Sequence, residues 1–209
     1  MTTAQALIAF SFAAGLLTIT PGLDTALVLR TAAAEGWRRA SAVAIGIGLG
    51  CLAWGAAAAF GAGALLVASH AAYPALKWAG AAYLVWLGVS LLRKPRSGFD
   101  TGTGETPASG GLAAALAKGF WNNLLNPKVG VFYVSFLPQF IPTGASPAAF
   151  GLLLAGVHVV MGLAWAGGLI LATAPIARAL RKPGVVRWLD RVTGGVFVAF
   201  GVRLAFERR

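Results

Sequence analysis

The chain has 209 residues, 58% of them hydrophobic and 11% charged, with a mean hydropathy of +0.76. A soluble domain carries about 25% charged residues, so seventeen basic and six acidic side chains exclude an ordinary soluble enzyme and point to an integral membrane protein. The net charge of +11 lies in short clusters between long uncharged stretches, which is the pattern of membrane topology signals and not of a nucleic-acid-binding face.

A helix needs about 20 apolar residues to cross the hydrocarbon, and the gaps between charges offer six such spans. The first covers residues 4–29 and is interrupted at Pro21, Gly22 and Asp24. It has no Lys or Arg before its apolar start, so it is expected to be a retained helix and not a cleaved leader. The second covers 41–69, the third 74–92, and the fourth 119–137 with Lys128 inside it. The fifth covers 147–174. The sixth covers 189–206, with Asp190, Arg191 and Arg203 near its ends, where long side chains snorkel to the headgroups. The uncharged runs are too long and too little alternating for barrel strands. The expected fold is therefore an all-α membrane protein with six transmembrane helices.

Small residues crowd the second span (Gly46, Gly48, Gly50, Gly55) and the fifth (Gly156, Gly162, Gly167, Gly168). In lipid they let helix backbones approach closely, so packing is favoured over a gating role; the same stripe could serve a homodimer or packing within one subunit. Cys51, the one cysteine, is expected to be a small packing residue. Trp37, Trp78, Trp121 and Trp188 lie near span ends, where indoles anchor at headgroups, and His70 and Tyr73 are expected at the same level.

Twelve basic residues fall in the first, third and fifth connections, against Lys77, Arg203, Arg208 and Arg209 on the other side. The positive-inside rule then places those three connections in the cytoplasm and both termini outside it. Residues 95–117, rich in Gly, Ser, Thr and Pro, read as a flexible cytoplasmic linker between a three-helix unit at 1–94 and another at 118–209. The units resemble each other. Laying 76–92 against 189–205 matches Leu76/Leu189, Val85/Val198, Gly88/Gly201, Val89/Val202 and Leu91/Leu204, and Pro21 corresponds to Pro127. Units of three spans face opposite ways across a bilayer, so the expected arrangement is an inverted repeat of the kind found in secondary transporters.

Two segments break the apolar rule deep in their spans: Thr18 to Thr25 and Asn122 to Lys128. Proline removes a backbone donor and clashes with the preceding turn, so helices 1 and 4 are expected to be broken there. Such backbone is tolerated only beside protein or a wet cavity. A half-helix beginning after Pro21 or Pro127 would turn its positive end toward an anion. Thr20, Pro21, Gly22, Asp24, Asn123, Asn126, Pro127 and Lys128 are the candidate binding residues. Asp24 and Lys128 are costly in lipid unless paired or hydrated. Three readings stay open for them: an ion pair tying spans 1 and 4 together, two solvated groups near the interface, or a transport site. Asp24 and His158 are the candidate proton-coupling residues, with a hydrogen-bonded packing role as the alternative for His158. No P-loop, metal-ligand cluster or nucleophile–base pair stands in the sequence, so no cofactor, metal or catalytic residue is expected.

These motifs carry a resemblance. T-P-G-L-D-T at 20–25, N-L-L-N-P-K at 123–128 and F-L-P-Q-F at 136–140 resemble the LysE/RhtB family of bacterial amino-acid exporters, and the likeness extends over nearly the whole chain. The first motif departs from the family form, which has a second proline where Leu23 stands. The resemblance implies efflux of an amino acid or close derivative through the bacterial inner membrane, driven by the proton gradient. Known members export lysine, arginine, homoserine, threonine, leucine and cysteine-related solutes, so family likeness does not choose among them. A zwitterionic substrate would set its carboxylate at Lys128 and a half-helix N-terminus, and its ammonium at Asp24 with oxygens of Thr20 or Asn126. The alternative from another class is a non-transporting membrane scaffold or assembly subunit.

Overall fold

Backbone groups in lipid must bond within their own segment or to other protein groups, and every regular element among the described residues is helical. The structure is a computed structural model that describes residues 1–68, 72–94, 110–180 and 182–206. In chain order it runs α1 (Thr3–Ile19), α2 (Leu23–Glu35), α3 (Trp37–Ala68), α4 (Ala72–Arg93), α5 (Leu112–Leu124) and α6 (Pro127–Val131). A π-helical turn (Phe132–Phe136) and a 3-10 turn (Leu137–Phe140) follow, then α7 (Pro147–Leu171), α8 (Thr173–Leu180) and α9 (Pro183–Phe206).

Two helices among the described residues are long and apolar enough to cross a membrane: α3 over Trp37–Gly61 and α7, each with a mean hydropathy of 1.9 over its best window. The pair α1 and α2 meets the same test as one unit bent by 53°. The segments expected at 74–92 and 189–206 are the helices α4 and α9, and 119–137 is divided among α5, α6 and the two turns. Most of the 95–117 linker lies outside the described residues, as do His70, Arg96, Arg181, Arg208 and Arg209 and the side chains of Tyr73, Lys77 and Arg203.

Local chemistry sets the helix ends. Thr2 accepts from the Gln5 amide while the Gln5 side chain accepts from Thr2 N–H, a reciprocal cap that opens α1. Ser146 caps α7 ahead of Pro147, whose missing donor costs nothing in the first turn. Between α2 and α3 the chain turns at Gly36, where φ of 86° suits glycine.

Close backbone approach joins α3 to α5. A Cβ on Gly46 would overlap the Leu116 carbonyl, and one on Gly119 the Val43 carbonyl. Gly55 meets Ala155 of α7 in the same way. The glycines of α3 at these contacts thus serve packing. Gly156, Gly162, Gly167 and Gly168 of the fifth span have open space where a Cβ would stand, so they make no close approach of this kind among the described residues. Gly119→Ala should force α3 and α5 apart at a cost of about 1–3 kcal/mol. Thermal unfolding in detergent reads this as a lowered midpoint, and an unchanged midpoint would contradict the contact.

Helices α4 and α9 meet through reciprocal contacts. A Cβ on Gly88 would stand 2.8 Å from Val198 Cγ2, and one on Gly201 2.8 Å from Val85 Cγ2. Gly88/Gly201 and Val85/Val198 are matched pairs in the internal alignment, so residue and counterpart exchange places across the contact. An aromatic cluster fastens the turns after α6 to α1 and α9. Phe136 lies 4.8 Å from Phe140 and 5.0 Å from Phe200, centroid to centroid, and Phe10 lies 5.6 Å from Phe140. Trp37, Trp78, Trp121 and Trp188 are exposed on the surface. Asp190, expected near a span end, is fully buried and has an interaction partner.

Candidate functional site

The two interrupted segments meet. Helix α1 ends at Ile19, and Thr20 adopts extended backbone. Helix α2 begins at Leu23, after Gly22, which has no side chain with which to cap it. On the other segment α5 ends at Leu124, and Asn126 leads into α6 with Pro127 in its first turn. The Asn126 side chain accepts from Lys128 N–H at 3.1 Å, so the protein itself satisfies one donor at that end. The positive end of α2 has no such side-chain cap, and Asp24 in its first turn suits that pole.

Asp24 is gripped from α5. Asn122 Nδ2 donates to Oδ1 and Asn123 Nδ2 to Oδ2, both at 2.7 Å. Asn126 also acts on this carboxylate through its side chain, and two carboxylate oxygens have acceptor sites beyond these amides. Asn123 is fully buried, and its own Oδ1 has no hydrogen-bond partner. Lys128 reaches back from α6 to the first segment: its Nζ donates to the carbonyls of Leu17 and Thr20, both at 3.3 Å. These lie at the C-terminal end of α1, where carbonyls lose their helical partners and a cation is favoured. Gly22 sits beside the ammonium, since a Cβ on it would stand 3.8 Å from Nζ. Thr20 donates its hydroxyl to Leu16 O at 2.6 Å and shares a second, short contact with the Thr193 hydroxyl of α9.

His158 is buried on α7 between Tyr133 and Thr18. Its Nδ1 bonds the Tyr133 hydroxyl at 2.9 Å and its Nε2 the Thr18 hydroxyl at 3.2 Å. Thr18 spends its own proton on Ala14 O at 2.7 Å, so it accepts from Nε2–H and leaves Nδ1 to accept from Tyr133. The network fixes Nε2 as a protonated donor.

One cavity of about 90 Å³ connects these groups. That is room for several waters or a small solute. Asp24, Lys128, Asn123, Asn126, Thr20 and His158 line its polar part. Pro21, though buried at the break, and the Asn122 side chain do not line it among the described residues. Helices α3 and α7 supply most of the remaining wall, including Ile47, Gly48, Val159, Gly162 and Ala166, with Leu17, Val28 and Val129 from the interrupted segments. Trp165 also faces the cavity, and its buried indole N–H has no hydrogen-bond partner. Tyr133, Thr193 and Trp165 were not foreseen from the sequence, nor was the wall from α3 and α7. Tyr133 was the most detectable of these, because a hydroxyl five residues after Lys128 interrupts a run of apolar side chains.

The model of the family described as LysE type translocator matches residues 16–208. The chain is 30% identical over 201 residues to a protein of Salmonella typhi named a homoserine/homoserine lactone efflux protein, covering 96% of each chain. It is 30% identical over 190 residues to a leucine efflux protein of Klebsiella pneumoniae, covering 90% of this chain and 88% of the relative. An uncharacterized membrane protein of Vibrio cholerae is 31% identical over 199 residues, with 95% of each chain covered. No solved structure matches the chain.

Proposed function

The chain belongs to the LysE type translocator family, and from that premise we propose that it is a secondary transporter exporting an amino acid or close derivative from the cytoplasm by proton antiport. One observation carries the reading: an acid from one interrupted segment and a base from the other line a single cavity. A zwitterion matches that pair. Its ammonium binds the open lone pairs of Asp24, and its carboxylate binds Lys128 beside Gly22 and the uncapped end of α2. Complementary charges offset the desolvation of each ion, which otherwise costs several kcal/mol. The efflux proteins named among the relatives support the direction and the substrate class.

Six spans in two inverted units, broken at Pro21 and Pro127, give this site its place between the halves. The reciprocal Gly88–Val198 and Gly201–Val85 contacts support that symmetry, and rocking of one unit against the other would expose the cavity alternately. The protein resides in the bacterial inner membrane with its basic connections in the cytoplasm and both termini outside. Gly156, Gly167 and Gly168, bare of neighbours, offer a face for a second copy. Asp24 carries the coupling proton: it is released as the substrate ammonium arrives and regained as the substrate leaves. The chain of Tyr133, His158 and Thr18 provides hydrogen-bonded groups next to the same cavity for its relay.

Lys128 also caps the end of α1, which is what a scaffold subunit would use it for. Reconstitution separates the two readings. Proteoliposomes loaded with mixed amino acids should lose at least one of them faster than protein-free liposomes, and faster still under a proton gradient directed against the efflux. Release equal to that of empty liposomes for every amino acid would sink the exporter reading.

A further inference from the structure

Both charges at the cavity come from α2 and α6, whereas most of its apolar lining comes from α3 and α7, and that division defines a substrate class. Asp24, Lys128 and the asparagines come from α2, α5, α6 and the segment that joins the last two. The α3 and α7 side includes Ala44, Ile47, Gly48, Val159, Gly162 and Ala166, with His158 and Trp165 as its nitrogen-bearing side chains. No charged side chain of α3 or α7 lines it among the described residues. Asp24 is the one acid facing the cavity and Lys128 the one lysine or arginine, again among the described residues. The charges of a zwitterion cancel against this pair, whereas a second ammonium or guanidinium on the substrate would be buried without a counter-charge.

We infer that the α3–α7 wall is the side-chain subsite of the transporter and that it selects amino acids with uncharged, largely apolar side chains, with Gly162 setting how large a side chain enters. This rests on the export reading above. The two glycines of the wall differ. A Cβ on Gly48 would stand 3.2 Å from Val159 Cγ1, so that side is closed by α7 itself. A Cβ on Gly162 would meet nothing within 4 Å, so added atoms there enter free space without moving a helix. The Trp165 indole N–H, buried and unpartnered, leaves one donor at this wall for a water or a side-chain oxygen.

The test is exchange of labelled alanine, leucine and lysine in proteoliposomes, with wild type beside Gly162→Ala, Gly162→Val and Gly162→Leu. Wild type should exchange leucine at least about a hundredfold faster than lysine. The leucine-to-alanine ratio should fall along the series, by about tenfold or more at Gly162→Leu, as one methylene in a pocket is worth about that factor. Wild-type lysine exchange equal to leucine exchange would overturn the inference, and that comparison needs no variant to fold. A leucine-to-alanine ratio unmoved in variants whose melting temperature matches wild type would overturn it as well. Failure of wild type to exchange any amino acid would instead overturn the export reading on which this one rests.

Discussion

Asp24→Asn should reduce export by about thirtyfold or more while leaving the protein inserted and folded. The carboxylate supplies the only acid at the cavity among the described residues, and loss of a buried charged partner costs about 2–5 kcal/mol, about thirtyfold to several thousandfold. The fold has a way to accommodate the change. Asn123 now points its amide nitrogen at Asp24 and holds an unpartnered Oδ1. Rotating that amide by half a turn presents the oxygen to the introduced NH2 group and removes the donor–donor clash. Stability should therefore change little, and the loss should be one of transport. The measurement is gradient-driven efflux from proteoliposomes at matched protein content, with the melting temperature read alongside. Efflux at the wild-type rate would mean that Asp24 neither holds the ammonium nor carries the proton.

Lys128→Met should lower both stability and transport, and to different degrees. Removing Nζ leaves the Leu17 and Thr20 carbonyls without their donor, a penalty of about 1–3 kcal/mol seen as a lowered melting temperature. The methionine stem keeps most of the packing. Transport should fall by about a hundredfold or more, because the substrate carboxylate then faces no cation. In cells, the variant should be inserted but should fail to confer tolerance to an excess of the exported amino acid. If it unfolds slightly and still exports like wild type, Lys128 is a cap for α1 and no part of the substrate site.

What could be read from the sequence here followed from how rarely lipid tolerates certain groups. A proline within an apolar run and an isolated acid or lysine are expensive enough to mark themselves, so Pro21, Asp24, Pro127 and Lys128 stood out. That the two segments belong to one site was expected from the internal repeat and the opposite charges, whereas the asparagines that hold Asp24 and the carbonyls that hold Lys128 depend on a pairing of distant helices that local pattern does not encode. The wall from α3 and α7 was invisible for a different reason. Gly46 and Gly162 look alike in sequence, yet one is pressed against the Leu116 carbonyl and the other faces empty space; only the direction each presents on its helix separates packing from lining. His158 was legible as a polar residue in an apolar span, but its partners Tyr133 and Thr18 lie 25 and 140 residues away. Asp190 was placed near a span end by its position among charges, and its complete burial follows from the way α9 packs.

The claim beneath all of this is that one small molecule touches Asp24 with its amine and Lys128 with its carboxylate at the same time. Exchange by wild-type proteoliposomes of leucine, N-acetyl-leucine and the decarboxylated amine of leucine tests it most directly, because the three share a side chain and differ only in which charges they carry. The account predicts rapid exchange of leucine and a fall of about a hundredfold or more for each of the others. Exchange of either singly charged compound at the rate of leucine would contradict it.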